Sequence, residues 1–425
     1  MSGEPHINSY YAATAGDLPR YPQLSCSIST DICIVGGGFS GVATALTLAE
    51  RGYSVVLLEA NRIGWGASGR NGGQMIVGMS GEANVARQFG DAGARLMREL
   101  RYLGHDIIRE RISKYGIACD LKPGWMEAAA RPKHMQALRA HFDDLVSDGG
   151  ERDHELVEPE RMVSILGTKM YHGGLIDRRS GHLHPLKLCA GEARAAASLG
   201  VRIFEDTRAN EIAGGAKPYV ATAAGRVEAK TVVLGGEIYE RFNKPKLRGL
   251  MLPTGSYIIA TEPLSEAEAG EINPMDLAVA DTNIVLDYFR LSADRRMLFG
   301  GRCNYSNRDP KDIAASLTPR LFEIFPQLRA KKIDFAWGGR IGIVITRIPV
   351  IGRLEPNLYF MQGYCGHGVN ATHIAARIVA DAIGGSMERF DMFERVRHIR
   401  LPLSGWAGNQ MLALGMLYYR LRDKF

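Results

Sequence analysis

Three glycines and one acid set the first chemical constraint. Gly36-x-Gly38-x-x-Gly41 has the spacing of a dinucleotide fingerprint, and Glu59 stands 18 residues after the last glycine. In such a turn the first glycine permits the bend, the second lets backbone approach a pyrophosphate, and the third lets helix and strand pack closely. Phe39 and Ser40 fall where a helix would begin, so that unpaired N–H groups and the positive end of the helix dipole would meet phosphate. Glu59, followed by Ala60, is placed to accept ribose hydroxyls, and an acid there disfavours a 2′-phosphate. In a glycine-rich chain the spacing alone is weak evidence. Its context strengthens it.

A second run, residues 64–74, reads Gly-Trp-Gly-Ala-Ser-Gly-Arg-Asn-Gly-Gly-Gln. Directly after the ribose-binding acid, Gly66, Ala67, Ser68, Arg70, Asn71, Gly72, Gly73 and Gln74 would line the rest of a long extended cofactor with small residues and backbone donors. FAD has that need and NAD lacks it. Arg62 lies where it could cover the adenine end, and Arg70 and Gln74 could face the ring system or a substrate. Pairing of Arg70 with a surface carboxylate is the alternative.

The elements that would position these residues follow from hydrophobic periodicity. Residues 31–35 form a short apolar strand, a helical pattern runs to Arg51, Gly52 stops it, and residues 54–58 form a second strand: a βαβ unit of about thirty residues. Residues 92–114, 132–147 and 185–199 read as helices, and 124–130, 202–210 and 231–234 as strands, the last ending in Gly235-Gly236. Strand patterns at 255–261, 283–291 and 297–301 suggest an antiparallel sheet. Near the end, strand 358–362 enters residues 363–368 and then a helix over 369–383, repeating the strand, glycine turn and helix of the start. The expectation is an α/β chain (α+β overall) with two units. A discontinuous Rossmann-like FAD-binding domain spans 28–90, 155–245 and 335–400. A mostly antiparallel β substrate domain with helices spans 91–154 and 246–334, and 401–425 forms a C-terminal helix.

Composition excludes other classes. The chain has 425 residues, 23% charged and 46% hydrophobic, with a formal charge of +6, so neither disorder nor a polyanion-seeking tail is expected. Its 49 glycines exceed the roughly 30 expected at about 7% usage. Six cysteines form no C-x-x-C pair and no zinc-ligand spacing, so no metal is expected and a reducing compartment fits. No basic leader with an apolar core and no long apolar run is present, so the expectation is a cytoplasmic protein with neither membrane nor nucleic-acid partners. The apolar stripe within 409–421 reads as a core-packed helix. Oligomeric state is not legible.

The 6–11 run His-Ile-Asn-Ser-Tyr-Tyr, the 64–74 run and the closing 408–416 run resemble the FAD-dependent amine and amino-acid oxidoreductases of the D-amino-acid-oxidase superfamily, nearly end to end. That family carries a late Gly-His-Gly box, matched by Gly366-His367-Gly368. The resemblance implies a helix N-terminus that favours negative charge on the flavin ring, with His367 bonding nearby groups and Val369 and Asn370 packed close to the ring. It also implies that residues 337–340, with Gly339, cross beside the flavin, that Gly235 and Gly236 lie near the adenosine, and that Ala209 lies beside the adenine. Sarcosine oxidases attach flavin through a cysteine in the crossing segment, where this chain has Ile343, so noncovalent FAD is expected. They also hold substrate carboxylate with a lysine where this chain has Asn370, which weakens the case for such a clamp.

The implied activity is oxidation of a C–N bond, with hydride passing to flavin, hydrolysis of the imine and reoxidation by O₂ to peroxide or by another acceptor. The first expected substrate is a gamma-glutamylated polyamine; the alternative is a secondary amine or N-substituted glycine such as sarcosine or iminodiacetate. Tyr288 and Arg290, two apart on a strand, share a face. If it looks at the flavin, Arg290 would pair with a substrate carboxylate and Tyr288 would wall the amine; a solvated face is the competing reading. Tyr257 and Trp65 are weaker pocket candidates. Two other classes compete: an NAD-linked dehydrogenase and a flavin-bearing electron-transfer subunit.

Overall fold

A computed structural model describes residues 3–239, 244–283, 285–304 and 309–400. The expected C-terminal helix, and with it the 408–416 run, falls outside the described residues.

Two sheets carry the fold. In the first, Ile28–Val35 lies between Val55–Leu58 and Arg226–Leu234, Arg202–Phe204 and Leu358–Gln362 extend the sheet, and all these pairs are parallel. Val350–Glu355 closes one edge in antiparallel fashion. Alternation in the central strand serves two cores: Ile32 and Ile34 join one apolar cluster, Cys33 and Val35 the cluster on the other face. Burial on both faces is the rule for parallel sheets, which explains why these strands read as unbroken apolar runs. The helix Phe39–Glu50 is buried from Phe39 to Leu48 and lies against the helices Pro185–Ser198 and Gly368–Ile383.

The second sheet runs Ile333–Ile343, Leu252–Thr261, Met297–Asn304, Tyr288–Leu291, Ala278–Asp281, Lys122–Ala128, Gly174–His182 and Gln74–Met75. Its pairs are antiparallel except that between Ala278–Asp281 and Lys122–Ala128. Met126, Ile176, Ile259, Phe289, Phe299 and Leu321 fill its core.

The expected domain limits shift accordingly. Gln74–Met75, Gly174–His182 and most of Ile333–Ile343, assigned from sequence to the cofactor domain, belong to the second sheet. Conversely, the helices Glu82–Leu100 and Leu103–Tyr115, assigned largely to the substrate domain, bury Met97, Leu100 and Ile108 in the first core. The single helix expected at 92–114 is two, broken at Arg101-Tyr102, and the strand expected at 283–291 begins only at Tyr288.

Candidate active site

A cavity of about 610 Å³ runs from the C-terminal ends of the parallel strands to the face of the second sheet. Such crevices beyond the carboxyl ends of strands are where open α/β sheets bind ligands.

At its first end the walls are backbone. Gly36 has φ +107°, and a Cβ there would meet Gly236 N at 2.8 Å. A Cβ on Gly41 would lie 1.8 Å from Gly36 O, so only glycine lets the helix start this close to the strand. The helix Phe39–Glu50 has Gly38 as N-cap, without a side chain to occupy its free N–H groups; Phe39 N–H alone is taken, by Ser68 Oγ at 2.8 Å. Glu59 accepts N–H bonds from Gly37 at 2.6 Å and Asn61 at 2.8 Å, and burial pushes its carboxyl up to about 7 against those bonds.

The 64–74 loop lines the middle. Asn71 holds it in shape, donating to Ala67 O and Ser68 O at 3.0 Å each and accepting from Gly73 N–H at 2.8 Å. Arg70 donates from Nε to Trp65 O at 2.8 Å and lies 4.2 Å from the centre of the Trp65 ring, while its Nη2 is buried without a partner. Trp337 Nε1–H donates to Arg70 O at 2.9 Å, so the crossing segment anchors this loop. Gln74 lines the cavity, but its amide is committed to Val279 O and Trp125 Nε1.

The far end is the start of the helix Gly368–Ile383. His367 is its N-cap with no capping bond; its Nδ1 is buried and unpartnered, and burial lowers its pKa, which keeps the ring neutral. Gly366 and Gly368 have open space where a Cβ would stand. Tyr288 enters from the second sheet, its ring filling the space beside Gly72 and Gly300, 3.2 Å from Ser256 Oγ to its hydroxyl.

Most residues singled out from sequence meet here: Gly36, Gly38, Phe39, Ser40, Glu59, Ala60, Gly66, Ala67, Ser68, Arg70, Asn71, Gly72, Gln74, Ala209, Gly235, Gly236, Tyr288, Gly339, Gly366, His367, Gly368 and Val369 all line the cavity, as does Trp65. Others do not. Gly41 lies behind the wall, as a packing glycine should. Arg62 is drawn away by Glu205 at 2.8 Å and by Pro19 O. Gly73 turns toward Leu183 O rather than the cavity. Asn370 is buried against Gly104 and forms no part of the wall. Tyr257 is a core residue bonded to Asp309.

Arg290 corrects the largest expectation. It is 4% exposed, and its five N–H groups meet Gly72 O, Leu291 O, Leu183 O, the Tyr11 hydroxyl and His182 Nδ1 at 2.7–3.4 Å. No donor remains for a substrate carboxylate.

Sequence reasoning missed Glu237, Tyr239 and Tyr364. Glu237, with φ 55°, accepts N–H bonds from Ile238, Gly342 and Gly363 and ties three strand ends together at the cavity wall. Tyr239 packs edge-on to Trp65 at 5.7 Å. Both follow Gly235-Gly236 within three residues, which was the available signal. The Tyr364 hydroxyl lies 2.8 Å from Ser40 Oγ, and Tyr364 stands two residues before the Gly-His-Gly box.

Two helix N-termini with free donors, glycines pressed to van der Waals limits and a buried acid at the wall, joined by one cavity, suit a dinucleotide flavin. A family model described as FAD dependent oxidoreductase (DAO) matches residues 31–382. The chain belongs to the DAO family of FAD-dependent oxidoreductases. It is 40% identical over 421 residues to gamma-glutamylputrescine oxidoreductase of Escherichia coli strain K12, covering 99% of each chain. It is 37% identical to a probable oxidoreductase OrdL of Haemophilus influenzae, covering 99% of this chain and 98% of the relative. Among solved structures it resembles glycine oxidase from Geobacillus kaustophilus, with TM-score 0.72 and 20% identity over 87% of this chain and 99% of that one. Within the DAO family the arrangement suits oxidation of an amine beside the flavin. No described helix is long and apolar enough to cross a membrane.

Proposed function

We propose that this DAO-family enzyme oxidises the free amine of a gamma-glutamylated polyamine, with FAD held noncovalently. Identity to the Escherichia coli relative along the whole chain supports the substrate class. The observation that carries the reading is the wall near Arg70. Trp65, Tyr239 and Tyr288 form an aromatic surround in the same cavity as both helix N-termini, and Arg70 Nη2 is its buried unpartnered donor.

FAD, when bound, accepts the hydride taken from the carbon next to the substrate nitrogen. The chain does the rest. Its aromatic and aliphatic lining, with Leu286 and Ile341, disfavours an ammonium and so favours the neutral amine that can react. The N–H groups at Gly368 and Val369 favour negative charge at that end of the cavity. Arg70 would orient an anionic or carbonyl group of the substrate. With Arg290 spent on backbone and Asn370 outside the cavity, a short N-substituted glycine would find neither expected carboxylate partner.

Ile343 lines the cavity in the crossing segment, which supports noncovalent attachment. Cys365 also lines it, but burial pushes its thiol up and Val344 N–H donates to Sγ at 3.3 Å, so it is a poor nucleophile. Anaerobic titration of the flavin absorbance with gamma-glutamylputrescine, sarcosine and iminodiacetate tests the substrate. Bleaching by the first alone is expected, and bleaching by the glycines alone would overturn the assignment. Acid precipitation should leave all flavin in the supernatant.

A further inference from the structure

Behind the cavity wall lies a charged cluster that the reaction as described does not use. Glu192 is fully buried on Pro185–Ser198. Its carboxylate receives Arg111 Nη1 at 2.9 Å and His373 Nε2 at 3.0 and 3.1 Å. Arg111, from Leu103–Tyr115, also donates to Thr47 Oγ1 at 2.7 Å and Ala43 O at 3.2 Å on Phe39–Glu50. Through Arg111 and His373, one acid thus ties together four of the helices on this face of the first sheet.

The donor role of His373 follows from its partners. Nδ1 lies 2.7 Å from Val369 O, a carbonyl, and Nε2 faces both carboxylate oxygens. Thr372 Oγ1, 3.4 Å from Nδ1, spends its own proton on Gly368 O at 2.6 Å, so every partner accepts and both ring nitrogens are placed to donate. With His373 as the imidazolium that donates from both, Arg111, Glu192 and His373 sum to one positive charge. Glu50, 3.8 Å from Arg111, is itself neutralised by Lys114 at 2.8 Å, so the outer pair cancels.

That charge sits close to the cofactor cavity. His373 follows the lining residue Thr372, binds the carbonyl of the lining residue Val369, and lies 5.6 Å between ring centres from the lining residue Phe39. It also stands in the second turn of the helix whose N-terminus faces the cavity. We propose that His373 is a positioning and charge-setting residue: held as an imidazolium by Glu192 and Val369 O, it adds a fixed positive charge to the Gly368 helix terminus and raises the reduction potential of the bound flavin. A low-dielectric interior leaves such a charge poorly screened. The inference rests on flavin occupying this cavity.

The test is the two-electron midpoint potential of the flavin-loaded enzyme. His373→Gln keeps a donor toward Glu192 but takes the cluster from +1 to 0. The reduction equilibrium should fall about tenfold, about 30 mV for two electrons. Glu192→Gln strips the imidazolium of its counter-charge next to Arg111, the ring gives up its proton, the sum stays +1, and the potential should stay within about threefold in equilibrium constant of the parent. A purely structural tie would leave both variants at the parent potential, or would move both alike through disturbed packing; either result overturns the proposal. Should His373→Gln fail to fold, ¹⁵N spectra of the parent holoenzyme still decide: two protonated nitrogens on His373 at pH 8 support it, and a single one overturns it. A purified chain without flavin would sink the cofactor reading beneath it, whereas flavin at unaltered potential sinks this inference alone.

Discussion

The end of the cavity proposed for the pyrophosphate and the end proposed for the amine are built from different materials. At the first, walls are backbone: glycines at positions 36 and 38 with Gly41 packed behind them, one helix terminus, and an acid whose oxygens are held by main-chain N–H groups. At the second, walls are side chains brought from separate stretches of chain, with Trp65 from the loop, Tyr239 from the end of a parallel strand, and Tyr288 and Ser256 from the second sheet. A backbone wall tolerates no added atom, so its failures should be all-or-none. A side-chain wall can be trimmed, so its failures should be graded.

Gly41→Ala tests the all-or-none half. The new Cβ would stand 1.8 Å from Gly36 O, which must move and take the pyrophosphate turn with it. Flavin affinity should fall at least tenfold, ~1.4 kcal/mol or more, and the protein should purify with little bound flavin by absorbance after denaturation. Flavin content equal to the parent would break the contrast.

Arg290→Met comes next, and decides between scaffold and substrate clamp. The substitution strands Gly72 O, Leu183 O and Leu291 O without their donor. Each buried orphan costs roughly 1–3 kcal/mol, so stability should fall by about 3 kcal/mol or more in chemical unfolding. The relative KM for substrates with and without a carboxylate should not change. Unaltered stability with a selective rise in KM for carboxylates would restore Arg290 to the substrate.

How much was legible from sequence follows the same division. The strand, turn and helix at 28–50 were readable because the demands are on backbone, and only glycine meets them. Alternation correctly put Tyr288 and Arg290 on one face, and both reach Gly72. What alternation could not show is that the 72–73 turn lies over Arg290 and, with Tyr11, His182, Leu183 and Leu291, supplies its acceptors, leaving only Tyr288 at the cavity. Asn370 fell near the helix start, but the rotation of that helix, fixed by its contact with Gly104, carries it away. Glu237 and Tyr239 were invisible for a similar reason: their roles come from partners about 100 residues away, among them Gly342 and Arg340. Local pattern encodes backbone conformation; it does not encode which distant segment fills the space opposite.

Tyr288→Ala sharpens the graded half. The ring fills space between Gly72 and Gly300, and its loss opens the amine end without touching the pyrophosphate turn. Specificity changes in such walls are worth about 1–3 kcal/mol, so kcat/KM should fall roughly 10- to 100-fold at unchanged flavin content. Coincident loss of flavin would show that the two ends are not separable.

The smallest expected effect lies in the scaffold beneath the amine end. Asp281 ends the strand whose Ala280 lines the cavity. Its Oδ1 accepts N–H bonds from Asn283 and Asp287 at 3.1 Å each, and burial followed by the Asp287 charge pushes its carboxyl from 3.8 up to about 7. Between those values the folded chain keeps a proton that the unfolded chain has released. Ionising Asp281 therefore subtracts stability progressively as pH rises from about 4 to about 7, and the loss is complete above the folded value. Asn mimics the protonated acid at every pH. Asp281→Asn should match the parent near pH 4 and exceed it above pH 7 by on the order of 1 kcal/mol or more, the rise from 3.8 to about 7 setting an upper bound of about 4 kcal/mol. Unfolding both proteins at pH 4 and pH 8 separates this from packing, for a packing change would give the same difference at both. A pH-dependent gain would mean that the amine end, unlike the glycine-built end, rests on a scaffold less stable than its sequence could make it.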